Sequence, residues 1–256
     1  VLSATAAYRS GAGLVTLATP RSIHSIVTGK INEATFLPLP DRAGALSAAA
    51  VIHFIESAKT YDALLIGPGL SLKSRGFIDK LLSLGRETWD NAVIDADALN
   101  ILAQIDHWWM QVPAPAILTP HPGEMLRLTR ISPEALAADR VGMARKFAAL
   151  WGHVVVLKGA FTVIAAPDNR TMIMPFANPA LATAGSGDVL AGSIVALRGQ
   201  GLPAYEAAIV GTYLHGLAGE IARREMGSSG VMAGDLLNRL PRAISICSTP
   251  NLGRVG

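Results

Sequence analysis

The chain contains a single cysteine, Cys247, so no internal disulfide framework holds it together. A reducing compartment, the cytoplasm, is the expectation that follows. Runs of basic charge are missing as well. Its 22 lysines and arginines are scattered among 19 acidic residues, leaving a net charge of +3, and they form no stripe with interleaved aromatics. This distribution argues against a nucleic-acid surface and suits a small anionic ligand. Long apolar runs are also lacking. The two longest stretches, Ala43 to Ile55 and Ala204 to Ala222, are interrupted by Ser47 and His53 and by Glu206, His215 and Glu220, so neither makes a clean membrane span. No internal repeat, low-complexity segment or dividing linker stands out, and the opening residues do not read as a signal peptide. Because the chain begins Val-Leu-Ser without Met and enters at once on a helix-like run, we expect a segment upstream of Val1.

What is present is apolar and alternating. With 256 residues, half of them hydrophobic, the chain can bury a large core, and residues 1–256 read as one α/β domain. Short apolar runs recur as GLVTLAT near Gly13, ALLIGPG near Ala63, AVIDAD near Ala92, AILTPH near Ala116 and VVVLKG near Val154. Their near-uniform apolarity predicts strands buried on both faces of a mainly parallel sheet. Helical spacing falls between them, over Arg42 to Lys59, Ser74 to Arg86, Pro133 to Trp151, Gly187 to Leu197, Pro203 to Arg224 and Met232 to Ile246. The segment FTVIAAPDNRTMIMP predicts a hairpin turning at Asp168 and Asn169.

Four of the strands end in unusual residues, and in open α/β sheets ligands bind outside the carboxyl ends of strands. ALLI leads into Gly67-Pro68-Gly69, a turn permitting close backbone approach or simply an ordinary strand-to-helix connection. AVI leads into Asp95-Ala96-Asp97, two carboxylates pointing to opposite sides if the strand continues, with Asp97 able to cap a helix starting at Ala98. AIL leads into Thr119-Pro120-His121-Pro122-Gly123-Glu124, where two prolines hold His121 extended as a ligand contact, with capping by Thr119 and Glu124 as the alternative. VVVL ends at Lys158-Gly159, an ammonium positioned to meet phosphates unless it is an ordinary surface lysine.

The most informative stretch is NPALATAGSGDVLAGSIVAL, from Asn178 to Leu197. Val189, Leu190, Ile194, Val195 and Leu197 recur at helical spacing, so Gly185, Ser186 and Gly187 form the turn that opens a buried helix. Backbone N–H groups there lack partners within the helix, glycine lets an anion approach, and the peptide dipoles favour negative charge. Asp188 is the exception. A carboxylate aimed at a phosphate repels it, but one set to the side can take a proton from a hydroxyl attacking phosphorus. The plainer alternative is that Asp188 complements the helix dipole and Ser186 caps the helix.

Together, IGPGL, DADALN, LTPHPGE, LKGAFT and NPALATAGSGDVLAG, in this order, resemble the ADP- or ATP-dependent NAD(P)H-hydrate dehydratases of the ribokinase-like superfamily. The similarity runs from AAYRSGAGLVTLATP past the helix that follows the hairpin. It implies a three-layer α/β/α domain with a mainly parallel central sheet and an antiparallel hairpin toward one edge. The activity implied is repair of hydrated NADH or NADPH, as the S epimer. A nucleotide's terminal phosphoryl group activates the hydrate's hydroxyl, and phosphate then departs, ADP giving AMP. Nicotinamide is then substrate and no redox step occurs. Mg²⁺, a homo-oligomer such as a tetramer, and a fused or partner epimerase are implied as well. Carried over residue by residue, the resemblance makes Gly69 and His121 contacts to the hydrated dinucleotide. It makes Lys158, Gly159, Ala160, Phe161 and Thr162, with Gly185, Ser186 and Gly187, the nucleotide site, and turns Asp188 toward the substrate hydroxyl as catalytic base.

Two departures are visible. Many members carry a glycine pair and threonine where this chain has Ala184, Gly185 and Ser186, and Pro-Gly-Met where it has Pro179, Ala180 and Leu181. Exchanges of small residues leave a cradle of backbone N–H groups intact. The family's glycine-rich opening segment would lie upstream of Val1. A vitamin-precursor kinase of the same superfamily, acting on hydroxyethylthiazole or hydroxymethylpyrimidine, would share the anion turn and the aspartate, but TPHPGE with DADALN is closer to the dehydratase pattern. A non-catalytic nucleotide-binding protein would have no need of Asp188.

Overall fold

The computed structural model describes residues 1–85, 90–113 and 115–248. Helix α1 (Leu2–Arg9) opens the chain. β1 (Thr16–Pro20) follows and pairs in parallel with β2 (Thr35–Leu39) across the short α2 (His24–Thr28). The GLVTLAT run therefore forms a strand, but in a separate two-stranded sheet. An antiparallel pair, β3 (Asp41–Arg42) and β4 (Ala45–Leu46), precedes α3 (Ala50–Ala58), so the helix expected from Arg42 to Lys59 is confined to its second half. Ala43 and Gly44 take φ of 51° and 79°, and Asp41 Oδ2 accepts from the Gly44 N–H, so the chain reverses where apolar spacing alone continues a helix.

Next come β5 (Leu64–Ile66), α4 (Arg75–Ser83), β6 (Ala92–Ile94), α5 (Ala96–Leu102), β7 (Ile117–Leu118), α6 (Pro122–Thr129), α7 (Pro133–Ala138), α8 (Arg140–Trp151) and β8 (Val154–Leu157). The expected end of α4 at Arg86 lies outside the described residues. The helix expected over Pro133 to Trp151 is interrupted at Asp139, which leaves helical geometry at φ −148° and accepts the Gly142 N–H to begin α8. β5 to β8 pair in parallel, in sequence order. β9 (Val163–Ala165) and β10 (Thr171–Ile173) form the expected hairpin at the sheet edge, β9 antiparallel to β8 and β10 antiparallel to β9, with Asn169 at φ 70° in its turn. α9 (Ser186–Gly199), α10 (Ala204–Met226), α11 (Ala233–Leu237) and α12 (Leu240–Ser248) follow. The last two replace the single helix expected over Met232 to Ile246. Between them Arg239 turns its guanidinium onto the Asp235 carbonyl and Glu225 of α10.

Alternation along the strands builds the three layers. Ile94, Leu118, Val155 and Leu157 join a core with Val51 and Ile55 of α3, Phe77 and Leu81 of α4, Leu99 of α5 and Phe147 of α8. Val93, Ile117, Val154 and Val156 point the other way, into a core with α9, α10 and α12. Each such side chain contributes about 1.5–3 kcal/mol by leaving water. The second layer is tight because of glycine. A Cβ on Gly192 of α9 would stand 2.2 Å from the Ser3 carbonyl of α1, and one on Gly211 of α10 would meet Ile194 Cγ1 at 2.7 Å. α9 is thereby locked between two helices with its N-terminus over the carboxyl ends of the sheet.

Candidate active site

The carboxyl ends of β5 to β8 bring together Gly67-Pro68-Gly69, Asp95, Thr119-Pro120-His121 and Lys158. Of the two glycines after β5, Gly67 is required by packing: at φ 130° its Cβ would stand 1.7 Å from the Asp95 carbonyl oxygen. Gly69, at φ 69°, has open space where a side chain would be. That leaves room for a ligand to approach the backbone. The strand after Ile94 does not continue, so Asp95 and Asp97 do not alternate across it. Asp95 occupies the N-cap position of α5, which starts at Ala96, and Asp97 accepts the Ser71 N–H at 2.9 Å.

Opposite these strand ends sits the Gly-Ser-Gly turn. Gly185 takes φ 85° at the N-cap of α9, and its Cβ would collide with Leu2 Cδ1 at 2.6 Å. Ser186 does not cap the helix; its hydroxyl donates to the Leu181 carbonyl at 2.7 Å. Its N–H is taken by the Thr183 carbonyl, while the Gly187 and Asp188 N–H groups meet no acceptor among the described residues. Two donors and a helix dipole therefore converge on one spot. The Asp188 carboxylate is half-buried and has no hydrogen-bond or ion-pair partner among the described residues. Burial, and then the Asp95 carboxylate, push its pKa above the ordinary carboxylate value against the attraction of Lys158. A more basic, unengaged carboxylate is what a general base requires.

Lys158 is neither a surface lysine nor extended into solvent. Its Nζ stands 2.7 Å from Asp95 Oδ1 and 3.6 Å from Glu124 Oε2, both acids being almost fully buried. The same Nζ lies 3.4 Å from where a Cβ on Gly187 would be, and Asp95 Oδ2 lies 4.0 Å from that point. A fixed cation and two hard carboxylates thus adjoin the anion turn. Glu124 also accepts the His121 N–H at 2.7 Å, while His121 Nδ1 accepts from the Gly123 and Glu124 N–H groups. His121, not Thr119, is therefore the cap of α6; Thr119 donates instead to the Ile94 carbonyl. A cap that accepts through Nδ1 carries its proton on Nε2, and burial of the ring, with Lys158 and Arg127 nearby, lowers its pKa despite Glu124. The half-exposed ring still faces outward from the strand tip.

The segment from Lys158 to Thr162 turns sharply between β8 and β9, with Gly159 at φ 141° and Phe161 at φ 53°. The Phe161 N–H donates to the Phe176 carbonyl, and the residue is left 53% exposed. Sequence reasoning missed two neighbours. His215 of α10 is buried behind the turn, where desolvation, opposed only by a backbone hydrogen bond at Ser186, lowers its pKa to about 4. Local sequence offers only a capping role for Glu124, because its partner Lys158 is distant in sequence. The remaining expected site residues, Ala160 and Thr162, lie in this same segment, with the Thr162 hydroxyl donating to the Gly159 carbonyl.

A sequence model of the family described as NAD(P)H-hydrate dehydratase matches residues 1–242. The bifunctional NAD(P)H-hydrate repair enzyme Nnr of Moorella thermoacetica is 47% identical over 241 residues, covering 94% of this chain and 45% of that protein. The ADP-dependent (S)-NAD(P)H-hydrate dehydratase of Neisseria meningitidis is 40% identical over 180 residues, covering 68% of this chain and 60% of that protein. Among solved structures, the ADP/ATP-dependent NAD(P)H-hydrate dehydratase of Bacillus subtilis, co-crystallised with ATP/Mg²⁺ and soaked with CoA, superposes with a TM-score of 0.78 at 31% identity, covering 96% of this chain and 85% of that one. The chain spans about half the length of the bifunctional relatives. The family model and the sequence similarity agree, and the chain belongs to the NAD(P)H-hydrate dehydratase family, with a ribokinase-like fold.

Proposed function

We propose that the chain dehydrates the S epimer of hydrated NADH or NADPH at the cost of a nucleotide phosphoryl group, ADP giving AMP and phosphate. The observation that carries this reading is Asp188, a carboxylate of raised pKa with no partner among the described residues, beside two N–H donors at the start of α9 that meet no acceptor among them. Asp188 takes the proton of the substrate hydroxyl, whose oxygen attacks the terminal phosphorus as the bond to the departing AMP breaks. The Gly187 and Asp188 N–H groups hold the charge that develops on the phosphoryl oxygens, and Lys158 adds a nearby positive charge. Phosphate, now a good leaving group, departs with its bonding electrons as the ring double bond re-forms and the adjacent carbon gives up a proton.

In this reading His121 and the backbone at Gly69 contact the hydrated dinucleotide, while the segment from Lys158 to Thr162 wraps the nucleotide. The cavity of about 500 Å³ lined by Phe176, Asn178, Glu220 and Arg223 adjoins that segment and offers space to the nucleoside end. Among the described residues no three metal-ligating side chains come together, and Lys158 already holds the carboxylates of Asp95 and Glu124, so a Mg²⁺ ion would be carried in mainly by the nucleotide's phosphates. When bound, the ion would neutralise charge on the phosphates. The bifunctional relatives support an epimerase acting with this chain, fused or separate. The test is incubation with hydrated NADH and ADP, and in a second arm ATP, while following the return of reduced-nicotinamide absorbance. No return with either nucleotide overturns the proposal, and phosphorylation of a thiazole or pyrimidine alcohol in its place would favour the kinase reading.

A further inference from the structure

Arg140 plays no part in the chemistry above, yet its guanidinium is devoted to one loop. Nη1 donates to the Ala160 carbonyl at 2.7 Å, and Nη2 donates to the carbonyls of Leu157 and Lys158 at 3.4 and 3.3 Å. Its Nε is buried and meets no acceptor among the described residues, so part of the guanidinium leaves water to reach these three oxygens. Asp139 fixes the start of α8, and with it the root of the Arg140 side chain, by accepting the Gly142 N–H at 2.7 Å.

The consequence follows from the planar peptide unit, in which each carbonyl opposes the next residue's N–H. Drawing the Leu157, Lys158 and Ala160 carbonyls toward Arg140 turns the N–H groups of Lys158, Gly159 and Phe161 the other way. Lys158 and Phe161 donate to the Pro120 and Phe176 carbonyls, and the Gly159 N–H meets no acceptor among the described residues. Gly159 is needed at this point: at φ 141° its Cβ would stand 2.9 Å from Arg140 Nη2. The guanidinium occupies the space beneath the loop and leaves one donor facing outward beside Lys158.

We propose that Arg140 is a positioning residue that sets the nucleotide-binding segment into its binding geometry before the nucleotide arrives. This rests on the reading of residues 158–162 as part of the nucleotide site. Pre-ordering lowers the entropic cost of binding at that segment and leaves the dinucleotide half of the site untouched.

The experiment has two parts. Amide hydrogen exchange on the wild-type protein, with and without ADP, reports whether residues 158–162 become protected. Steady-state kinetics on Arg140→Ala and Arg140→Lys, with each substrate varied in turn, then report the role of the arginine. The KM for nucleotide should rise about tenfold or more in both variants, because one ammonium cannot span three carbonyls. The KM for hydrated NADH should stay near its wild-type value, and added guanidinium ion should restore nucleotide affinity to Arg140→Ala. Protection in the wild type together with unchanged nucleotide KM in a folded variant overturns this inference while leaving the nucleotide segment in place. An equal loss toward both substrates overturns it too, by revealing a general structural role. Absence of protection in the wild type removes the segment from the nucleotide site and this inference with it.

Discussion

Replacing Asp188 with Asn keeps the shape of the side chain and removes its ability to take a proton. Loss of a general base lowers rates roughly a hundredfold to ten-thousandfold, or about 3–5 kcal/mol of transition-state stabilisation. Nucleotide affinity should be preserved or improved, since the Gly187 and Asp188 N–H donors belong to the backbone and a repelling charge has gone. Stability supplies an independent check. Burial and the Asp95 carboxylate raise the Asp188 pKa, so the folded state resists its ionisation. A carboxylate with raised folded pKa contributes stability at low pH that is lost as pH rises through that pKa. Asp188→Asn should therefore melt higher than wild type at neutral pH, with the gap closing toward pH 3.8. Single-turnover measurement of reduced-nicotinamide absorbance, calorimetric titration with ADP and melts across pH read these three quantities. Near-native turnover would refute the assignment of Asp188 as base. A neutral-pH melting point below wild type would refute the electrostatic argument.

Gly187→Val puts a branched side chain where a Cβ would stand 3.4 Å from Lys158 Nζ, and should weaken ADP binding at least roughly tenfold, about 1.4 kcal/mol. Unchanged affinity in a folded variant by calorimetry removes this turn from the nucleotide site. His121→Ala should raise the KM for hydrated NADH far more than that for ADP, and should also lower stability by about 1 kcal/mol because the α6 cap is lost. Impairment toward ADP alone would show that His121 serves the other half of the site. For His215, a folded pKa of about 4 against an ordinary 6.5 means that stability is complete above pH 6.5 and falls as pH drops toward 4, by about 3 kcal/mol at pH 4. Urea melts at pH 7 and 4.5 should show that His215→Gln flattens this slope, and an equal slope in the variant would place the acid sensitivity elsewhere.

Sequence by itself determined the elements whose causes are local. The apolar runs ending at Ile66, Ile94, Leu118 and Leu157 read as buried parallel strands, because strands covered on both faces carry no polar alternation. Gly185, Ser186 and Gly187 before a helically spaced apolar run marked the turn that opens α9, and Asp168-Asn169 marked the hairpin, since turn chemistry acts over a few residues. Local pattern misled where a side chain intervened, as when Asp139 ended one helix and began another inside a continuous helical spacing.

Only the tertiary structure decided what these residues do to one another. Lys158 reaches Asp95 across 63 positions of sequence and, with Glu124, forms an ion cluster that no spacing announces. His121 was legible as a strand-tip residue, but its work as a cap through Nδ1 required the geometry of α6. The same holds for Asp188, conspicuous in sequence as an acid in the first turn of a buried helix. Its raised pKa arises from burial and from Asp95 at the end of β6, because a carboxylate's basicity is set by the water it loses and the charges it faces. Those are properties of packing in space, which a linear pattern does not contain.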